Sequence, residues 1–163
     1  RGQGFQPPAG FAKLSFPELS PFAFLDDADS PWPAPENGRS SGYRFKGYER
    51  DKLRRPAFLY EFHDVKVRDF PTGATELSPY LTREFTVEGE SKQGELHYLA
   101  ATGKRIESRG ETYLVDGKYA ISFPDLKKLK PTLRESGGRK ELLLQLEFKG
   151  KLSFVQRYDW HYE

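Results

Sequence analysis

The predicted fold of this chain is organised around the stretch GYRFKGYERDKLRRPAFLYEFHDVKVRDF, residues 42–70. Its apolar side chains alternate on both sides of a two-residue turn at positions 63 and 64, with Phe58, Tyr60 and Phe62 before the turn and Val65 and Val67 after it. A hairpin closed by that turn sets Phe62 opposite Val65, and the next pair on the same side is Tyr60 with Val67. Both strands therefore present apolar side chains to one face. Residues 43–48 alternate as well and predict a third strand.

The composition fits one soluble β-rich domain. The chain has 163 residues, 36% of them hydrophobic and 31% charged, with 13 Phe and 9 Tyr. Large aromatic side chains favour sheets over helices. No run of 18 apolar residues occurs, so we expect no transmembrane segment. The net charge of +2 is spread along the chain, and the basic run at residues 127–130 is typical of a solvated turn, so we expect no nucleic-acid partner.

The chain contains neither cysteine nor methionine. The absence of cysteine excludes disulfides, thiolate nucleophiles, thiolate metal sites and covalent haem attachment. The absence of an initiating methionine indicates a processed product or a domain cut from a larger protein. No cofactor is expected on this chain.

Residues 1–41 are predicted to form an extended N-terminal arm, and residues 42–163 a β-sandwich domain. The arm holds 7 of the 12 prolines, which interrupt helices and central strands. It is also rich in large aromatic side chains, which disordered segments lack. We therefore expect the arm to lie across the domain or a partner with its aromatic side chains inserted.

Further alternating runs predict an all-β, antiparallel β-sandwich built as a meander of hairpins. Residues 81–87 and 96–100 are predicted as a strand and its return strand. Asp116 and Gly117 predict a two-residue turn that sets Leu114 opposite Tyr119. Residues 142–148 are predicted to form an interior strand and to pair with residues 152–156 across an odd-numbered loop containing Gly150. The only helical spacing, at residues 125–130, supports one short turn.

No catalytic grouping is found, and we expect no enzymatic activity. The three histidines belong to no motif, and phosphate-binding, nucleophile-elbow and zinc-protease motifs are absent. Asp26, Asp27 and Asp29 form a weak candidate calcium loop, because they lack the glycine and the distal glutamate of a known one. A polar loop whose carboxylates cap backbone donors is the favoured interpretation.

Aromatic side chains outside the clearest core alternation are the candidate binding residues. Flat rings of this kind insert into a protein partner or stack on sugar faces. The candidates are Phe11, Phe16, Phe22, Phe24, Trp32, Trp160 and Tyr162.

Residues 43–71, YRFKGYERDKLRRPAFLYEFHDVKVRDFP, are similar to a recurring FKGY-x-x-D-x-x-x-x-P-x-F-x-Y pattern that continues to a V-x-D. The segments LTREFTV, TGKRIE, TYLVDGK and LSFVQRYDW follow at matching distances. Together they resemble a β-rich accessory region of large secreted proteins from the Planctomycetes–Verrucomicrobia group. There it accompanies sugar-dehydrogenase-like propellers and c-type cytochrome domains.

The resemblance implies a secreted or periplasmic, non-catalytic interaction domain that docks on a cytochrome or dehydrogenase partner, and we expect docking through the arm. The alternative is a carbohydrate-binding module that uses exposed tryptophan and tyrosine rings on a polysaccharide. A third interpretation is a sugar hydrolase or lyase using surface carboxylates with His63 or His97.

Overall fold

The computed structural model describes residues 19–35, 42–73, 80–90, 95–124 and 129–160. In these ranges the regular structure is entirely strand. No helix long and apolar enough to cross a membrane occurs in the part of the chain that is described. The predicted helical turn at residues 125–130 falls largely outside these ranges.

Twelve strands form two antiparallel sheets. They are β1 Phe22–Phe24, β2 Tyr43–Arg50, β3 Pro56–Phe62, β4 Val65–Thr72, β5 Leu81–Glu90, β6 Leu96–Gly103, β7 Ile106–Arg109, β8 Thr112–Val115, β9 Tyr119–Ser122, β10 Pro131–Ser136, β11 Arg139–Gln145 and β12 Lys149–Asp159. The small sheet has the order β1-β6-β11-β10, and the large sheet has the order β2-β3-β4-β5-β12-β9-β8-β7. The predicted all-β antiparallel sandwich is confirmed.

The core lies between the sheets and is centred on aromatic rings. Phe22 and Tyr98 from the small sheet meet Phe85 and Phe154 from the large sheet, with ring centroids 4.9 to 5.6 Å apart across the interface. Edge-to-face and tilted contacts at this distance are the arrangements that aromatic quadrupoles favour. This cluster fixes how the two sheets pack.

The predicted hairpin between β3 and β4 is confirmed, with Phe62 opposite Val65 and Tyr60 opposite Val67. The turn is possible because His63 adopts a φ of 50°. The predicted register at Asp116 and Gly117 was wrong by one residue. Val115 pairs with Tyr119, because Lys118 joins the turn and donates its backbone N–H to the Val115 carbonyl at 3.0 Å.

Two predicted strand pairings were wrong. β11 and β12 belong to different sheets, and Gly150 lies within β12 opposite Gly89 rather than in a loop. β5 and β6 are likewise in different sheets. In both cases the second strand crosses to the opposite sheet and faces the same core, which yields the same alternation as a hairpin. The prediction that β11 is an interior strand is confirmed, since it lies between β6 and β10.

Part of the segment predicted as an arm belongs to the small sheet. Residues 22–24 form β1, which pairs with β6. The chain then crosses the outer face of the small sheet, where Arg134 holds it by donating to the carbonyls of Ala28 at 2.9 Å and Ser30 at 2.6 Å. The boundary at residue 41 stays a prediction, because residues 1–18 and 36–41 lie outside the described ranges.

Truncating Phe22 tests whether β1 is part of the core. Phe22 is 1% exposed, so Phe22→Ala should lower the free energy of unfolding by about 3–5 kcal/mol through lost burial and the cavity left behind. Leu53→Ala is the control, since Leu53 is 73% exposed and its loss should change stability by less than about 0.5 kcal/mol. Urea denaturation measures both. Equal stability of the two variants would show that β1 is only loosely attached.

Candidate binding site

The inner face of the large sheet extends beyond the small sheet that covers it. At its centre, Phe85 and Phe154 are almost completely buried. Near the β2 edge, Phe45 and Tyr48 are 59% and 56% exposed. The register places Phe45 beside Tyr60, on the face that points to the core. An aromatic part of the inner face is therefore open to solvent.

A β-bulge in β2 brings its aromatic side chains to this face. The register between β2 and β3 shifts between Phe45 and Gly47, and Gly47 has a φ of 121°, a conformation that favours glycine. Tyr48 consequently pairs with Phe58, on the same face as Phe45. Without the extra residue, the strand alternation would turn Tyr48 to the opposite face.

A cleft of about 200 Å³ opens between the sheets next to these rings. We call it the tyrosine cleft. The large sheet contributes Tyr43, Tyr60, Asp69, Arg83, Tyr119 and Tyr158. Residues 99–102 of β6 and residues 19–21 before β1 form the other wall.

Stacked rings lead from the exposed face into the tyrosine cleft. Tyr43 and Tyr60 stack with centroids 4.7 Å apart and an interplanar angle of 22°. Phe45 lies 5.4 Å from Tyr60. Since Tyr43 and Tyr60 are only partly buried, the three rings form a continuous aromatic surface that solvent can reach.

A carboxylate–guanidinium pair forms the polar part of the wall. Arg83 donates from Nη2 to Oδ2 of Asp69 at 2.7 Å and from Nε to Oδ1 at 3.3 Å, and the two side chains are only 15% and 11% exposed. Burial acts to lower the pKa of Arg83, but interactions with Tyr98 and Asp69 raise it overall. The guanidinium therefore stays charged and is fixed in a bidentate geometry.

A hydrogen-bonded network continues from this pair into the core. Tyr98 donates to Oε1 of Gln156, and Nε2 of Gln156 donates to the Ala100 carbonyl at 2.9 Å. Tyr158 lies between the two groups, and its buried hydroxyl interacts with the side chains of Arg83 and Tyr98. Because buried polar groups are costly unless they are paired, this network holds the pair in one orientation.

The tyrosine hydroxyls of the cleft are protonated at neutral pH. Burial raises the pKa of Tyr119 to about 12 and that of Tyr43 well above its ordinary value of 10.0. Burial also raises the pKa of Tyr60 and of Tyr158. These hydroxyls can therefore donate and accept hydrogen bonds, but they are poorly suited to proton transfer near neutral pH.

The structure does not gather the sequence-predicted binding residues into one surface. Phe22 lies in the core, so its ring is not at the surface. Phe24 stacks on Phe62 at 5.3 Å. Trp32 donates from Nε1 to the Ser20 carbonyl at 2.9 Å and packs on the outer face of the small sheet.

Trp160 lies beside the tyrosine cleft. Its ring lies 5.9 Å from that of Tyr119, a cleft residue. Phe11, Phe16 and Tyr162 lie outside the described residues.

The candidate calcium loop forms a hydrogen-bonded turn. Oδ1 of Asp27 accepts from the backbone N–H of Asp29 at 2.9 Å and from the Ser30 hydroxyl at 3.1 Å. Within the described ranges, no group of three or more His, Asp or Glu side chains could hold a metal ion. His97 contacts the Glu95 carbonyl through Nδ1 at 2.9 Å, and His63 lies in the β3–β4 turn.

Sequence reasoning missed the charged pair of the cleft, although one signal was present. Asp69 continues the inward positions of Val65 and Val67, and Arg83 lies two positions before the inward Phe85. A charged residue in an inward position of an apolar alternation must be paired or lie in a cavity. Sequence alone does not reveal that positions 69 and 83 are neighbours.

Alkaline pH should destabilise the fold through its buried tyrosines. Because burial raises the pKa of Tyr43, Tyr98 and Tyr158 above 10.0, the unfolded chain loses these protons first. The stabilisation that comes from these protonated hydroxyls is complete below pH 10. As pH rises further, the free energy of unfolding falls by about 1.4 kcal/mol per pH unit for each proton retained only in the folded state. Urea midpoints above pH 10 measure this, and Tyr43→Phe should give a shallower slope. A free energy of unfolding that does not fall above pH 10 would contradict the burial of these hydroxyls.

No family model matches this sequence, no curated protein matches it, and no solved structure matches the chain. The fold and the geometry of the tyrosine cleft are therefore the basis for a function.

Proposed function

We propose that this chain is a non-catalytic carbohydrate-binding domain that takes a sugar ring in the tyrosine cleft. The supporting observation is the combination of solvent-accessible stacked rings with a fixed, partly buried pair of Asp69 and Arg83 in the same cleft. Small-molecule sites are concave, lined by aromatic side chains and provided with a few fixed polar groups.

The side chains that line the tyrosine cleft suit a sugar ring, which is apolar on its faces and polar at its edge. The flat surfaces of Tyr43 and Tyr60 offer stacking area to the C–H groups of a sugar. The carboxylate of Asp69 accepts from sugar hydroxyls, and the cleft hydroxyls both donate and accept. Hydrogen bonds to charged groups are stronger than those between neutral groups, which gives such a site its orientation.

The charge balance favours a neutral sugar. Asp69 holds Arg83 at 2.7 Å, so the pair contributes one negative and one positive charge and no net charge to the cleft. A carboxylated or sulfated ring would have to compete with Asp69 for the guanidinium. A neutral ring can bridge the edge of the pair without breaking it.

The size of the cleft favours one ring of a longer chain. Its volume of about 200 Å³ is small beside the roughly 300–1,000 Å³ of typical ligand sites. The exposed rings of Phe45 and Tyr48 continue on the same face outside it. In this proposal the cleft holds one ring of a polysaccharide, and the neighbouring rings lie over that aromatic face.

A non-catalytic role also accords with the ionisable groups of the cleft. Acid–base catalysis needs a group whose pKa lies near the working pH. The cleft instead contains tyrosines with raised pKa values and a carboxylate paired with arginine. The resemblance to accessory regions of secreted proteins supports such a role and motivates placing the domain outside the cytoplasm.

Affinity electrophoresis against a panel of neutral polysaccharides tests the proposal. At least one polysaccharide should retard the parent chain, and Tyr60→Ala should weaken that binding about tenfold, equivalent to about 1.4 kcal/mol of lost stacking. Tyr60→Phe keeps the ring and should bind nearly as well as the parent. Circular dichroism checks that each variant is folded.

Trp32→Phe is the matched control, because Trp32 lies on the outer face of the small sheet. It should bind like the parent. Loss of binding in Trp32→Phe but not in Tyr60→Ala would place the binding site on the outer face of the small sheet. The absence of retardation by every polysaccharide would reject the proposal.

A further inference from the structure

β2 is the outermost strand of the large sheet and forms one of its two edges. Among the described residues, β2 pairs with β3 and with no other strand. A strand in this position presents a row of unpaired backbone N–H and C=O groups along its outer side. With eight residues, β2 is longer than the mean strand of about 5–6 residues.

Exposed apolar side chains concentrate at this edge. Four large hydrophobic side chains are strongly exposed in the described part of the chain: Phe45, Tyr48, Leu53 and Leu133. The first three belong to β2 and to the turn that follows it. Clustering of exposed apolar side chains at one place marks an interaction surface more often than an ordinary solvated face.

The same edge is strongly basic. Residues 42–55 carry six basic and two acidic side chains, so this stretch has a net charge of +4, against +2 for the whole chain. Glu61 of β3 balances only part of this charge, through contacts with Arg44 at 3.0 Å and Lys46 at 3.8 Å. Asp51 is already paired with Arg55 at 2.7 Å.

The charge argues against two other occupants of the edge. A second copy would bring one basic β2 beside another, and like charges on adjacent strands are destabilising. Residues 1–18 of this chain are also basic overall and contain Pro7, Pro8 and Pro17, which cannot donate to a ladder.

We propose that β2 binds an extended acidic segment of a partner protein, which joins the large sheet as an additional strand. Backbone hydrogen bonds supply the affinity in such strand addition, and side chains supply the selectivity. Acidic side chains of the partner face Arg44 and Lys46 on the outer face of the sheet, and its apolar side chains lie beside the outer edge of Phe45 and Tyr48 on the other face. This surface is separate from the interior of the tyrosine cleft.

Amide hydrogen exchange of the full chain tests this proposal with a synthetic peptide of alternating glutamate and valine as the probe. The outward-facing amides of β2 should exchange rapidly in the free chain. Saturating peptide should slow them about tenfold without changing exchange in β7, the opposite edge of the same sheet. Binding should weaken as salt is raised.

A peptide of alternating lysine and valine is the matched probe and should protect nothing. The variant Arg44→Glu with Lys46→Glu should reduce the affinity for the acidic peptide at least tenfold. Because both side chains are exposed, this variant should fold like the parent. Equal protection by the two peptides, or unchanged affinity in the variant, would overturn the proposal.

Amide exchange of the free chain, without peptide, tests whether another occupant already covers the β2 edge. Slow exchange of the outward β2 amides at every protein concentration would show that another segment of this chain already covers the edge. Protection that appears only at high protein concentration would assign the edge to a second copy. Either result overturns the proposal.

Discussion

The ion pair between Asp69 and Arg83 is the constraint around which the open end of the sandwich is arranged. Two charged side chains on inward positions of β4 and β5 are stable there only because they bind each other in a bidentate geometry. Tyr158 and the hydrogen-bonded pair of Tyr98 and Gln156 pack against the ion pair on its core side. The small sheet does not close completely over the ion pair, and the tyrosine cleft is the gap that remains between the two sheets.

The exposed aromatic face depends on a second local feature, the bulge in β2. One additional residue before Gly47 places Tyr48 on the side of Phe45. The inner side of this edge carries rings that continue the cleft, and its outer side carries basic residues beside free backbone groups. A ligand in the cleft would use the interior rings, a strand on the edge would use the outward backbone groups of β2, and both would adjoin the exposed rings of Phe45 and Tyr48.

Sequence reasoning was reliable where the determining contacts are local. The β3–β4 register followed from a two-residue turn between Phe62 and Val65, because only one register keeps the apolar side chains together. It failed for β11 and β12, since a strand that crosses to the opposite sheet and a hairpin partner show the same alternation. The site could not be predicted from the sequence either, because it depends on contacts between strands. Asp69 and Arg83 meet only through the pairing of β4 with β5. The bulge at Gly47 changes which aromatic rings share a face.

If the ion pair serves binding rather than stability, replacing it with apolar residues should separate the two properties. Buried pairs can often be exchanged for hydrophobic residues of similar volume without loss of stability, whereas removing one partner costs about 3–5 kcal/mol. In the double variant Asp69→Leu with Arg83→Met, urea denaturation should give a free energy of unfolding no lower than that of the parent. Affinity electrophoresis of the same variant should show that polysaccharide binding is lost. Retardation equal to that of the parent would show that the ion pair does not take part in binding.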